Sequence, residues 1–155
     1  MSISATTRPA RPGEEDGVDY VFLDHSTFEK WREADEFVES FEVFGNFYGT
    51  PKRPLVDHLA AGDDVLLEID VQGAMAVRKA FPDAVLVFLR PPSREVQRER
   101  LLSRAGDALD SIERRLAKAD AEEALADEFD LVVVNDDLET AVGQVAAILE
   151  ARRTT

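Results

Sequence analysis

The chain has 155 residues, 45% of them hydrophobic, which is enough for a packed core and too many for a disordered segment. It contains no cysteine, which excludes disulfides and thiolate metal sites and fits a reducing compartment. Its 32 acidic residues against 18 lysines and arginines give a net charge of −14, a surface that repels nucleic acid and anionic membrane, and no apolar run approaches the ~20 residues that span a bilayer.

Ser2 to Thr6 reads as a short β-like run, which then turns into the basic loop Arg8-Pro9-Ala10-Arg11-Pro12-Gly13-Glu14. A residue before proline is pushed into extended or polyproline conformation. That conformation has a period of about three residues, each rising ~3.1 Å. Arg8 and Arg11 are therefore expected on the same side of the backbone, about 9 Å apart by that rise. Two guanidiniums so placed can converge on one phosphate through paired N–H bonds. Spacing alone leaves two alternatives open, a solvated basic turn and a P-x-x-P ligand of the kind SH3 domains bind.

Tyr20–Leu23 reads as a strand. Ser26 and Glu29 match a capping box and predict a short helix through Ala34. Phe37 to Phe44 alternates as a half-buried antiparallel strand does, Gly45-Asn46 is a turn, and Phe47-Tyr48 starts the return strand. A helix over Arg53–Ala61 stops at Gly62. The character then changes. Val65–Ile69, Ala84–Leu89 and Leu131–Val134 read as buried strands. Between and after them, helices are expected over Gln72–Phe81, from Ser93 to Ser103, over Asp110–Ala126, and from the Asp136-Asp137 cap to Arg152. Such alternation predicts a doubly wound α/β fold with a parallel sheet, into which the Tyr20–Gly49 region is inserted as a small β-rich lobe.

Ligands of open α/β sheets sit beyond the C-terminal ends of the strands. Three polar features fall there: Thr6-Thr7-Arg8, Asp70 with Gln72-Gly73, and Asn135-Asp136-Asp137. Asp136 and Asp137 read as helix caps. Asp70 is equally readable as a cap or a ligand.

Four separated runs together resemble one family. Ser4-Ala5-Thr6-Thr7-Arg8-Pro9-Ala10-Arg11-Pro12-Gly13-Glu14 with Tyr20 is similar to the start of the GMP-binding region of guanylate kinases. Glu42-Val43-Phe44-Gly45-Asn46-Phe47-Tyr48-Gly49-Thr50, Glu68-Ile69-Asp70-Val71-Gln72-Gly73 and Val133-Val134-Asn135-Asp136-Asp137 follow in that family's order and spacing. The resemblance spans residues 1–155 as one nucleoside-monophosphate-kinase-like domain, with a GMP-binding lobe over about 20–50 and a helical lid over about 98–116. It implies that Arg8, Arg11, Tyr20 and Tyr48 hold the GMP phosphate. Glu39 would accept from the guanine N1–H and exocyclic amine, with further guanine contacts from Ser4 and Thr50. Asp70 would line the space between GMP and the magnesium-bound nucleotide. Arg104 and Arg115 would be lid arginines that close on the transferring phosphates, and Asn135, with Arg100 as a further candidate, would lie near the adenine of ATP. The implied reaction is ATP + GMP to ADP + GDP with Mg2+, in cytoplasmic purine metabolism. Nucleic acid and membrane are not expected partners.

The chemistry fits those roles. An ionised carboxylate offers only acceptors and so suits the two-donor edge of guanine, whereas adenine presents a lone pair at the corresponding ring position. Phosphoryl transfer needs positive charge around the moving group more than it needs a covalent catalyst. Some positions depart from the family pattern: Ser40 follows the glutamate where an aromatic is common, Phe47 replaces the first tyrosine of a pair, Ala105 replaces a glycine beside the lid arginine, and Val71 replaces a bulkier residue. The larger departure is that no G-x-x-x-x-G-K-[ST] run occurs, so the first strand and phosphate loop of the family are missing. A start internal to a longer gene and a natural GMP-site remnant are the two expectations this raises. The second leads to an alternative function, a catalytically inactive module that binds GMP or a protein.

Overall fold

Alternation of apolar and polar residues carries Phe37–Val43 (β3) into an antiparallel hairpin with Asn46–Pro51 (β4), in register from Val43↔Asn46 to Phe37↔Pro51 with a bulge between Phe37 and Glu39. The turn is Phe44-Gly45, one residue earlier than the sequence suggests. Both residues have positive φ, 50° and 80°, as a two-residue hairpin loop matched to the strand twist requires. The computed structural model describes residues 1–103 and 109–153, in two compact units, Met1–Ala84 and Val85–Thr155.

In the first unit β4 also pairs antiparallel with Ala5–Thr6 (β1), and β1 pairs parallel with Val21–Phe22 (β2), giving the order β2-β1-β4-β3. The β-rich lobe thus takes in β1 as well as the inserted region. Helix His25–Glu33 (α1) lays a fully buried Phe28 against Phe37 and Phe47, with ring centroids 4.6 and 5.6 Å away. Stacked rings of this kind add to simple area burial. Ala5, Val21, Leu23 and Trp31 complete this core.

Asp24, not Ser26, caps α1. Its carboxylate accepts from the Thr27 N–H at 2.8 Å and from the hydroxyls of Ser26 and Thr27. The Ser26 hydroxyl, with the amide and hydroxyl of Thr27, holds its pKa down to about 2. Three donors on one carboxylate outweigh the expected box, and Glu29 pairs with Arg32 instead. Helix Lys52–Ala60 (α2) ends ahead of Gly62 at φ +83°. The run Val65–Ile69 makes no ladder with any described strand. The Ser2 N–H donates to the Leu66 carbonyl at 2.9 Å, while Leu66 itself is 45% exposed. Val71–Ala80 (α3) follows, one residue ahead of the expected helix.

In the second unit Val87–Arg90 (β5) and Leu131–Val134 (β6) pair in parallel, Val87↔Leu131 through Arg90↔Val134. Helices Arg94–Ser103 (α4) and Leu109–Glu123 (α5) form the crossover that a parallel pair requires. Asp130 accepts from the Leu86 N–H at 2.7 Å at the entry to β6. Of the expected buried run in β6 only Val133 is buried; Leu131, Val132 and Val134 are exposed. Helix Leu138–Arg153 (α6) is capped by Asp137, which accepts from the Thr140 N–H at 2.8 Å, as the sequence suggests. Six α-helices and a parallel strand pair among the described residues make this a mixed α/β fold, and no described helix is long and apolar enough to cross a membrane.

Candidate functional site

Strand alternation decides which side chains share a face. Tyr48 and Thr50 stand two apart on β4, so they project on one side of the sheet, about 7 Å apart by the strand rise. Glu39 lies directly opposite Thr50 in the β3–β4 register and joins that face. The Thr50 hydroxyl, fully buried, donates to Glu39 Oε1 at 2.6 Å. Burial, together with the negative charge of Asp70, pushes the Glu39 pKa up, and the Thr50 hydroxyl acts against them. The first turn of α3 closes the other side of this carboxylate. Gly73 lies so close that a Cβ built on it would sit 3.1 Å from Glu39 Oε2. Asp70 is the N-cap of α3, its Oδ1 accepting from the Gly73 N–H at 3.0 Å. A capping role is therefore settled for Asp70.

The basic loop leaves β1 through two buried threonines. Thr6 Oγ1 donates to the Phe47 carbonyl at 3.0 Å and accepts from the Arg8 N–H, while Thr7 Oγ1 accepts from the Phe47 N–H at 2.9 Å. Arg8 is therefore anchored to the β4 backbone at its root. Its guanidinium lies 5.3 Å from the centre of the Tyr20 ring, and the Tyr20 and Tyr48 rings meet edge to face at 6.2 Å. Glu14 holds the same guanidinium at 2.9 Å. That hydrogen bond, followed by one to Tyr48, raises the Arg8 pKa against the effect of burial. Burial, foremost, and the nearby Glu68 raise the Tyr20 pKa.

The loop is not the polyproline strut that its prolines suggest. Pro12-Gly13 form a turn, Gly13 at φ +91°, with the Glu14 N–H donating to the Arg11 carbonyl at 3.0 Å. Proline followed by a positive-φ glycine is the type II pattern. The turn folds Glu14 back so that its second oxygen accepts from the Arg11 N–H at 2.7 Å. Arg8 is half-buried and Arg11 is exposed, so the two are not displayed as equivalent prongs. Glu14 is the participant that spacing did not reveal. The signal was there in an acid directly after a Pro-Gly turn that follows two arginines. Ser4 is half-buried on the way into β1, with its carbonyl accepting from the Val21 N–H.

The second unit gathers another pair. Arg100 on α4 donates to the carbonyls of Asn135 at 2.8 Å and Asp136 at 3.4 Å. Arg100 and Asn135, with Leu89, Arg90, Pro91, Gln97 and Leu101, line an open hollow of about 210 Å³ beyond the C-terminal ends of β5 and β6. Arg115 stands half-buried on α5. Arg104 lies outside the described residues. Among the described residues no group of three or more His, Asp or Glu could hold a metal ion.

These features can be set beside known proteins. A family model described as guanylate kinase matches residues 1–152. A guanylate kinase of Gloeobacter violaceus is 57% identical over 149 residues, 96% of this chain and 73% of that protein. One from Thermus thermophilus is 53% identical over 98% of this chain and 69% of its own length. The crystal structure of guanylate kinase from Anaplasma phagocytophilum superposes with a TM-score of 0.86 at 37% identity, covering 99% of this chain and 76% of that one. Whole-chain identity at this level and a shared fold leave one conclusion: the chain belongs to the guanylate kinase family.

Proposed function

We propose that these residues form the acceptor side of a kinase that transfers phosphate from ATP to GMP, with the sheet face of the first unit as the GMP site. The observation that carries this reading is the half-buried Glu39 carboxylate, held by the fully buried Thr50 hydroxyl and standing on the same face as Tyr48. Tyr48 leads directly to Tyr20 and Arg8. A base-reading acceptor and a cationic, hydroxyl-lined phosphate seat are thus spaced along one strand. In this reading Glu39, Thr50 and Ser4 take the guanine. Arg8, Arg11, Tyr20 and Tyr48 take its phosphate. Asp70 borders the path to the donor, and the hollow at Asn135 and Arg100 takes the adenine. Residues 20–50 form the acceptor lobe and residues 98–116 the lid, whose Arg104 and Arg115 meet the transferring phosphates. Mg2+ is read as arriving with ATP, since it commonly keeps waters and phosphate oxygens rather than an all-protein cage. The compartment this activity implies is the cytoplasm.

The test separates base from phosphate. Arg8→Ala is expected to weaken GMP by at least about tenfold, since hydrogen bonds to charged groups are worth ~1.5–3 kcal/mol. Guanosine, which lacks the phosphate, should lose little. Calorimetric titration with both ligands decides it, and an equal loss for both would make Arg8 a structural residue and remove the phosphate seat.

A further inference from the structure

Gly73 sits where a helix has no use for glycine. It is the third residue of α3, three after the Asp70 cap, and its φ is not positive. Alanine at such a position is worth about 0.5–1 kcal/mol more to the helix than glycine. No turn or left-handed backbone requires the missing side chain. What requires it is a neighbour. A Cβ at Gly73 would lie 3.1 Å from Glu39 Oε2, 3.4 Å from Glu39 Cδ and 3.2 Å from Ile69 Cβ. The first and last of these are closer than ordinary van der Waals contact allows without movement.

We infer that Gly73 is a specificity-positioning residue: the absence of a side chain there fixes where the base-reading carboxylate of Glu39 stands. The inference rests on the proposed guanine-reading role of Glu39. The carboxylate is confined from two sides, by the Thr50 hydroxyl on Oε1 and by the Gly73 backbone against Oε2. Thr50 is fully buried on a paired strand, and Gly73 is buried in a capped helical turn that its own N–H ties to Asp70. Neither wall yields easily, so the contact with Oε2 is relieved by rotating or withdrawing the Glu39 carboxylate, while the contact with Ile69 Cβ needs a shift of that residue's backbone. A paired acceptor array reading two donors tolerates little displacement, because a misaligned bond leaves a buried polar group unpaired. The cradle therefore trades helix stability for the placement of one side chain.

The experiment is a double-mutant cycle on the 155-residue chain, read by GMP titration and by thermal melting. Gly73→Ala is expected to weaken GMP by about tenfold or more, with little change in Tm, because alanine's gain in the helix is offset by the 3.2 Å approach to Ile69 Cβ. On a Glu39→Ala background the same substitution has no carboxylate to displace, and its effect on GMP is expected to shrink to less than about twofold, the mark of coupled residues. GMP affinity unchanged by Gly73→Ala would overturn the inference. So would equal weakening on both backgrounds, which would assign the effect to Ile69 or to the helix. If Glu39→Ala itself leaves GMP affinity unchanged, the guanine-reading role falls first, and this inference with it.

Discussion

At Glu39 the proposed guanine-reading role and stability pull apart. Burial and Asp70 make its proton harder to lose in the folded chain than in the unfolded one. The folded state therefore holds more protons across the window above the ordinary glutamate pKa, and stability falls as pH rises through it. At neutral pH the ionised carboxylate is a net cost to the fold. Glu39→Gln keeps an oxygen for the Thr50 hydroxyl and removes the charge. It is expected to raise Tm at pH 7, with the gain shrinking as pH is lowered toward the ordinary glutamate range, and to weaken GMP by at least about tenfold because its amide sets a donor against guanine's donors. Melts at pH 4.5 and 7 together with one titration check both halves. A variant no more stable than wild type at pH 7 would mean that Glu39 is not strained by its burial. Much of this residue's character was legible beforehand, since an acid in an alternating strand must either face solvent or serve a ligand. What was not legible was its confinement. Nothing in the sequence ties Gly73 to a residue 34 positions earlier.

Elements were legible where the local signal and the tertiary partner agree. β3 follows its alternation, α2 stops ahead of Gly62, and β6 occupies Leu131–Val134 as expected. Signals failed where two residues compete or where pairing decides. Asp24 and Ser26 are both cap-forming types, and only the three donors around Asp24 show which one wins. Val65–Ile69 has strand composition, but composition names no partner, and the segment makes no ladder with the described strands. The hairpin tip was misplaced by one residue because Phe44 is an unusual occupant of positive φ. That position offers a prediction. Non-glycine residues in this region cost on the order of 1 kcal/mol, and Asn is among the least penalised. Phe44→Asn would form the Asn-Gly pair that such turns favour, so Tm is expected to rise by about 2–4 °C for a chain of this size. Thermal melting of the two proteins is the check, and a fall in Tm would show that Phe44 contributes more through contacts than it costs in backbone strain.

For the molecule as a whole, the 155 residues span 69% to 76% of the length of the relatives compared above, and no G-x-x-x-x-G-K-[ST] run occurs within these 155 residues. Such loops hold donor phosphates through backbone N–H groups, a lysine and a hydroxyl on Mg2+. Removing single preorganised donors costs roughly 10²–10³ in rate. These residues assayed by themselves are therefore expected to bind GMP and to turn over far below the ~1–100 s⁻¹ usual for kinases. A coupled ADP-release assay with GMP as acceptor measures this, and turnover in the usual range would mean that residues within the 155 hold the donor phosphates in another way. The proposed acceptor side has the denser and more local signature: arginines, prolines, tyrosines and a glutamate within a few dozen residues.

The Glu14 carboxylate bridging the Arg8 guanidinium and the Arg11 amide has a consequence for selectivity among anions. The loop carries its own counter-ion. An incoming anion therefore meets a guanidinium that is already satisfied, and what counts is the difference between the newcomer and a resident monoanion. A singly charged competitor gains almost nothing by that exchange. A phosphomonoester near neutral pH brings close to two charges and three acceptor oxygens, so it gains where chloride or a free carboxylate does not. In a chain with a net charge of −14, whose own acidic side chains are the most abundant anions nearby, an internal ion pair keeps the proposed phosphate seat from being taken by the protein's own surface.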